Sequence, residues 1–316
     1  MTSPKYRHAL PQLADKLFLT DGGIETTLIF HEGFELPHFA AFDLLREKKG
    51  RTALENYFGR YATIARDMGV GFVLESATWR ASPDWAGKLG YSTDALDTVN
   101  REAVEMLFDL RQEFETDATP CVISGCIGPR GDGYNPSEIM SADEAERYHA
   151  EQIGTFARAG ADMVTAITMT YPEEAIGITR AAQAAGLPAA ISFTVETDGR
   201  LPTGQSLGEA IVQVDRDTKN GPAYYMINCA HPTHFDEAVT KGGDWLARIH
   251  GLRASASTKS HAELDEAEEL DDGNPVELGG DYRKLKQILP NLTVLGGCCG
   301  TDHRHIAAIG RACAQA

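Results

Sequence analysis

Two cysteine clusters at the ends of apolar segments carry the most chemical information: Cys229 in YYMINCAHP, and Cys298-Cys299 in TVLGGCCGT. They are too far apart along the chain to form a local zinc-finger pattern. Three thiolates converging from two strand ends, with no obvious fourth ligand, describe a zinc site with one open position. A structural zinc is closed by four protein ligands, whereas a catalytic one keeps a place for an incoming group. A thiol entering that place would lose its proton at neutral pH and become a nucleophile. The competing reading is that these are buried structural cysteines, a reading that suits Cys121, Cys126 and Cys313 better.

Positioning three sulfurs in this way requires a fold that brings many strand ends to one place. Eight short apolar segments recur along the chain, each followed by a candidate helix: Leu17–Gly23, Val70–Trp79, Pro120–Ile127, Asp162–Thr170, Pro188–Val195, Ala223–Cys229, Trp245–Leu252 and Leu292–Cys298. Continuous apolar runs suit strands buried on both faces, as in a parallel sheet. Helical spacing is read over Thr52–Met68, Ser92–Phe114, Pro172–Ala185, Leu207–Val214, Tyr282–Leu289 and His303–Cys313. Ser141 followed by Glu144 is a capping box opening another helix, and a shorter helix falls around His234–Thr240. Eight strand-then-helix units predict an α/β fold: a single-domain (β/α)8 barrel of the TIM type spanning residues 1–316. A doubly wound sheet is the alternative. In a barrel, Cys229 ends the sixth strand and Cys298-Cys299 the eighth, so all three face one mouth. Gly296, Gly297 and Gly300 supply the backbone freedom to turn the second cysteine of the pair inward.

Composition narrows the function classes. A chain of 316 residues with 42% hydrophobic content can bury a large core, and a net charge of −17 repels nucleic acid and anionic membranes. No run approaches the roughly 20 apolar residues of a spanning helix. The first residues lack the apolar stretch of a secretory signal. Six cysteines are too few for a disulfide scaffold and suggest reduced thiols in a cytoplasmic protein. Two long loops stand out, Phe30–Gly50 and Ala254–Leu278. The second, with HAELDEAEELDDGNP, is read as a solvated excursion, with a lid over the mouth as the alternative.

In these residues the chain resembles the homocysteine S-methyltransferase family, zinc-dependent (β/α)8 barrels that move a methyl group onto homocysteine sulfur. The likeness runs over nearly the whole chain. It is carried by LTDGGIETTL (19–28), GCIGPRGDGY (125–134), ISFTVETDGRLPTGQSLGEA (191–210), INCAHP and GGCCGT. The resemblance implies Zn2+ held by Cys229, Cys298 and Cys299, which act in catalysis through the metal. It further implies an amino-acid pocket that includes Asp21, Gly22 and Gly23, with Asp21 suited to an ammonium group. Asn228 would orient the site through hydrogen bonds. The implied reaction is methyl transfer to homocysteine, giving methionine, from a sulfonium or quaternary ammonium donor such as S-methylmethionine, S-adenosylmethionine or a betaine. The partners are then a small-molecule thiol acceptor and a methyl donor, with a homo-oligomer possible and neither nucleic acid nor membrane involved.

The chain also departs from the family pattern. The Glu-Thr pair expected at the end of the fourth strand reads Ile167-Thr168. Thr168 stays a candidate for substrate binding, while the carboxylate is missing or is replaced by Glu173 or Glu174. The second-strand motif reads Glu75-Ser76-Ala77-Thr78-Trp79, and the seventh-strand region reads Leu252-Arg253-Ala254-Ser255. For a cationic donor, Trp79, Tyr134 and Tyr171 are candidate cage aromatics. GCIGPRGDG lacks the following helix that a dinucleotide loop needs. His231 is read as a loop histidine, and His303 and His305 as surface residues. A Schiff-base aldolase is disfavoured because no lysine falls inside the eight strands. A zinc-thiolate methyltransferase for another thiol, or a non-catalytic thiol-binding protein on the same scaffold, remains the alternative.

Overall fold

The apolar segments form a closed ring of eight parallel strands in chain order. The computed structural model describes residues 3–136, 139–267 and 269–314. The strands are β1 (Phe18–Leu19), β2 (Gly71–Glu75), β3 (Cys121–Ile127), β4 (Met163–Met169), β5 (Ala189–Phe193), β6 (Tyr224–Asn228), β7 (Ile249–Ala254) and β8 (Val294–Gly297). Phe18 pairs with Gly71 on one side and Val294 on the other, which closes the ring. Around it lie α1 (Lys48–Met68), α2 (Thr93–Phe114), α3 (Ala142–Ala159), α4 (Pro172–Ala185), α5 (Leu207–Thr218), α6 (Pro232–Thr240), α7 (Pro275–Ile288) and α8 (His303–Cys313).

Strand alternation divides the apolar residues into two cores. Phe18, Val73, Val122, Met163, Tyr224 and Val294 fill the ring, while Leu19, Phe72, Leu74 and Ile123 pack outward against the helices. The N-terminal segment closes the lower end. Leu10 joins the inner core, and Gln12 donates to the Met163 sulfur at 3.1 Å. The amides of Lys5 and Tyr6 donate to Asp162, whose charge is met by buried Arg111 at 2.7 Å. The cavity opens at the other end, where the strands finish.

Local signals explain most element boundaries. Ser141 and Glu144 form the expected capping box, and Ser206 with Glu209 forms a second. Gly69, Gly160 and Gly186 end their helices in the left-handed conformation. Several boundaries differ from the sequence reading: β1 and β2 end well short of the expected Gly23 and Trp79, α1 begins before Thr52 and α5 runs past Val214. Two further differences have a local cause. Trp245–Arg248 is not strand but part of a 3-10 turn, Asp244–Arg248, and the seventh strand starts at Ile249. Gly243, at φ 139°, turns the chain so that Trp245 packs against Gly208, where a β-carbon would stand 2.7 Å from the indole. Helix α7 starts at Pro275 instead of Tyr282, because Asn274 caps it and Pro275 takes the first turn. Among the described residues, no helix is long and apolar enough to cross a membrane.

The acidic loop is not a mere surface excursion. Ser260 and Glu263 cap a helical turn, His261–Asp265. His261, Leu264, Leu270 and Asp271 from this loop line the cavity at the mouth. Phe30 and Phe39 of the other long loop reach the same cavity.

Candidate active site

Register places the three cysteines together. Asn228 at the end of β6 pairs with Arg253 of β7, and Ala254 pairs with Gly297 of β8, so one strand separates the two cysteine-bearing ends. The sulfurs of Cys229, Cys298 and Cys299 all lie within 4.8 Å of one another. Three sulfurs on one tetrahedral zinc would stand about 3.8 Å apart, given Zn–S bonds of about 2.3 Å. The cluster therefore has the donor set and spacing to hold a metal ion. Cys229 and Cys298 are joined as a disulfide, with Cα atoms 5.3 Å apart. That pairing corrects the expectation that all six thiols are reduced. A disulfide sulfur is not a thiolate, so metal binding by these two residues requires their reduction. Cys121, Cys126 and Cys313 are buried as expected. Burial pushes the Cys121 and Cys313 thiols up to about 12 and about 11.

The backbone around the cluster is strained at two non-glycine residues. Cys229 has φ 53° and Thr168, at the end of β4, has φ 66°. Left-handed φ is uncommon for any such residue and costly for a β-branched one. Thr168 lies within a register irregularity of β4 against β5, between Ala166 and Met169. Asn228, fully buried, holds it from both ends. Its amide oxygen accepts from the Thr168 N–H at 3.0 Å, and its nitrogen donates to the Thr168 hydroxyl at 2.9 Å. The same oxygen accepts from Ser192 at 2.6 Å, and the nitrogen lies 3.9 Å from the Cys298 sulfur. Asn228 thus ties the ends of β4, β5 and β6 to the β8 cysteine.

The first-strand motif meets the β8 motif backbone to backbone. The Gly23 N–H donates to the Thr301 carbonyl at 3.0 Å. A β-carbon on Gly23 would stand 2.5 Å from the Cys298 carbonyl oxygen, and one on Gly22 would stand 2.8 Å from that of Thr301. Close approach therefore demands glycine at both. Close approach also explains Gly296 and Gly297, which lie hard against Thr20 and Thr301; of the three glycines in the GGCCG motif that could have supplied backbone freedom, only Gly300, beyond the end of β8, has positive φ.

Asp21, Gly22, Gly23, Thr168, Cys229, Cys298 and Cys299 all line one cavity of about 360 Å³. A volume of that order suits a small-molecule site. Asp21 is already engaged. Its carboxylate accepts from Arg253 at 2.7 Å and from Tyr57 at 3.0 Å. Arg253 also donates to the Gly297 carbonyl at 3.1 Å, fastening β1, β7 and β8 together. Glu25, Glu75, Asp132, Glu269 and Asp271 also line the cavity, and Glu25 and Glu75 share the electrostatic surroundings of Asp21. Burial pushes both up to about 7, and Arg253 partly opposes this at each. One Glu75 oxygen is buried without a hydrogen-bond partner. Neither Glu173 nor Glu174 substitutes for the missing strand-four carboxylate. Glu174 is turned to His149 and the Arg130 amide, at 2.9 and 2.8 Å, and Glu173 accepts from Gln213.

Aromatic groups form another wall. Trp79 donates to the Ile167 carbonyl at 3.2 Å. The Tyr134 hydroxyl lies 3.5 Å from the Cys299 sulfur, and its ring centroid is 4.1 Å from that of His261. His261 Nε2 donates to the Cys229 carbonyl, which places the ring proton on that nitrogen. Tyr171, in contrast, is not in this wall; it is buried with its hydroxyl accepting from the Met140 amide. His231 caps α6 through Thr233 and lies outside the wall as well. His305 is fully buried, not a surface residue, between Asp302 and the Asp272 carbonyl. No lysine lines the cavity among the described residues. Sequence reading missed Glu25, His261 and Arg80. Glu25 lies inside the quoted first-strand motif, and Arg80 directly follows Trp79.

Comparison with known proteins decides the family. The model for the family described as homocysteine S-methyltransferase matches residues 18–313. The chain belongs to the homocysteine S-methyltransferase family. Homocysteine S-methyltransferase 4 of Zea mays is 23% identical over 268 residues, 77% of this chain and 76% of the maize protein. Betaine–homocysteine S-methyltransferase 1 of Rattus norvegicus is 26% identical over 75% of this chain, and the match spans 59% of the rat protein. The homocysteine methyltransferase MmuM of Escherichia coli in its metallated form superposes with a TM-score of 0.71 at 16% identity, over 98% of this chain and 99% of that one. Its oxidized form gives the same TM-score at 17% identity, over 97% and 99% of the two chains. At such identities the structural likeness speaks for the barrel itself, while the family match covers the two cysteine motifs.

Proposed function

We propose that this member of the homocysteine S-methyltransferase family is a zinc-dependent enzyme that methylates the thiol of homocysteine. The observation that carries the proposal is the convergence of three cysteine sulfurs, within 4.8 Å of one another, on the wall of the mouth cavity. Cys229, Cys298 and Cys299 would hold Zn2+, which when bound lowers the pKa of an acceptor thiol and leaves it a thiolate at neutral pH.

The chain's own residues do the remaining work. Asn228 fixes Thr168 and the Cys298 side of the cluster, so the acceptor meets a preset wall. With Ile167 where the family carries a glutamate and Asp21 ion-paired to Arg253, Glu25 and Glu75, the cavity carboxyls that share the surroundings of Asp21, are assigned to face an ammonium group. Trp79 and Tyr134 give aromatic surface to a cationic donor, a sulfonium or quaternary ammonium. In the transfer, the acceptor sulfur forms a bond to the donor methyl carbon. The donor's carbon–sulfur or carbon–nitrogen bond breaks, and its electron pair stays with the leaving group, which departs with one less positive charge. No general base is needed at that step, because the thiol proton has already gone to solvent.

The test is zinc content and methionine formation for reduced wild type and Cys298→Ser, using S-methylmethionine, S-adenosylmethionine and glycine betaine as donors. Methionine from at least one donor, lost together with zinc in the variant, is the expected result. Full activity in a zinc-free Cys298→Ser protein would overturn the mechanism.

A further inference from the structure

We propose that Arg80 anchors a substrate carboxylate at the barrel mouth, an inference that rests on the methyltransferase reading and deepens it. Arg80 is 5% exposed and lines the cavity. Its guanidinium carbon lies 3.9 Å from the ring centroid of Trp79 and 3.9 Å from that of Trp85. Two indoles at that distance fix the plane of the guanidinium and leave its N–H edge as the recognition surface. One nitrogen donates to the Gly131 carbonyl at 3.1 Å, whereas the buried Nε has no hydrogen-bond partner.

No ion pair to Arg80 occurs among the described residues; Asp132 and Glu25 act on it only through space. Burial lowers Arg80 to about 10, which still leaves it cationic at neutral pH. A buried cation with an unused donor and no bonded carboxylate is an unfavourable arrangement unless a ligand completes it. A carboxylate is the ligand whose two oxygens match that edge.

The position suits a substrate. Trp79, in contact with Arg80, donates to the Ile167 carbonyl, and the neighbouring Thr168 hydroxyl lies 4.0 Å from the Cys229 sulfur. One indole therefore separates Arg80 from the end of β4 beside the cysteine cluster. With Glu25 on the same cavity wall, the site offers a cation for a carboxylate and a carboxyl that a neighbouring ammonium would draw into its ionised form, matching the two ends of an amino-acid zwitterion. A carboxylate could arrive on the thiol acceptor or on a betaine-type donor, and the chemistry at Arg80 is the same for both.

Calorimetric titration of zinc-loaded protein with two matched pairs tests this. The pairs are homocysteine against 3-aminopropane-1-thiol, and glycine betaine against choline. Wild type should bind the acid of at least one pair about 10- to 100-fold more tightly than its carboxylate-free partner, as expected for a charged hydrogen bond. Arg80→Gln should abolish that ratio while leaving the affinity for the carboxylate-free compound unchanged. The pair that responds identifies which substrate carries the carboxylate. Arg80→Lys keeps the charge without the planar edge, so it should retain an intermediate ratio; it carries the test if Arg80→Gln fails to fold or to hold zinc. An unchanged ratio in the folded variant, or a wild type indifferent to the carboxylate in both pairs, overturns the proposal. Methionine formation is scored separately. Loss of carboxylate selectivity in a protein that makes no methionine would keep the Arg80 site and reject methyl transfer.

Discussion

Replacing Glu75 by Gln should make the protein more stable at alkaline pH and change it little in acid. Glu75 ends β2, is 4% exposed, and shares its surroundings with Asp21, Arg253, Cys126 and Tyr224. Burial raises its carboxyl from 4.5 to about 7, with Asp21 adding to the rise and Arg253 opposing it. The folded protein therefore holds a proton that the unfolded chain releases between these two values. Because the native state binds more protons, stability is fully present below pH 4.5 and falls as pH rises through 7. A shift of this size corresponds to about 3 kcal/mol at 1.36 kcal/mol per pKa unit. Gln keeps the shape without the ionisation. In urea titrations the variant's advantage should be below about 1 kcal/mol at pH 5 and close to about 3 kcal/mol at pH 8. Glu25 titrates in the same range in both proteins, so the difference isolates Glu75. A wild-type-to-variant difference that stays constant from pH 5 to pH 8 would refute the reasoning.

Two further perturbations probe how the cysteine ends are held. Asn228→Ala leaves the Thr168 amide and the Ser192 hydroxyl without their acceptor. Stability should fall by about 3 kcal/mol, measured by urea unfolding, and zinc should bind more weakly because the Cys298 side loses its neighbour. A variant within about 0.5 kcal/mol of wild type, the range of neutral surface changes, would contradict this. Gly23→Ala places a β-carbon against the Cys298 carbonyl. It should lower stability by about 1–3 kcal/mol through overpacking and reduce zinc affinity in competition with a chelator. Unchanged zinc affinity would show that the β1 turn does not set the position of Cys298.

The barrel was legible because each strand is buried on both faces and reads as an apolar run, and because Ser141, Pro172 and Asp302 mark helix starts locally. The convergence of the three cysteines, though not the disulfide between Cys229 and Cys298, was legible for a related reason: residues at strand ends share one mouth whatever the loops do. Boundaries failed where local chemistry competed with apolar content. Trp245 and Leu246 look like strand, yet Gly242 and Gly243 set the backbone for a tight turn. The first turns of helix α7 after Pro275 hold Val276, 77% exposed, and two glycines, so they show no apolar stripe. The substrate wall was least legible. Arg80 acquires its role from Trp79, Trp85 and Gly131, and His261 from Cys229, contacts no local pattern encodes. Asp21 read as an ammonium ligand because the sequence cannot show Arg253, distant along the chain, closing on it at 2.7 Å.

The central claim is that three sulfurs at the ends of β6 and β8 hold one metal with a place left for a thiol. Fully reduced protein loaded with Co2+ tests it most directly, through the absorption spectrum recorded during a homocysteine titration. The account predicts strong thiolate-to-cobalt charge transfer in wild type, a saturable change as homocysteine binds, and loss of that spectrum in Cys298→Ser. A reduced protein that retains no cobalt, or whose spectrum lacks thiolate bands, would contradict it.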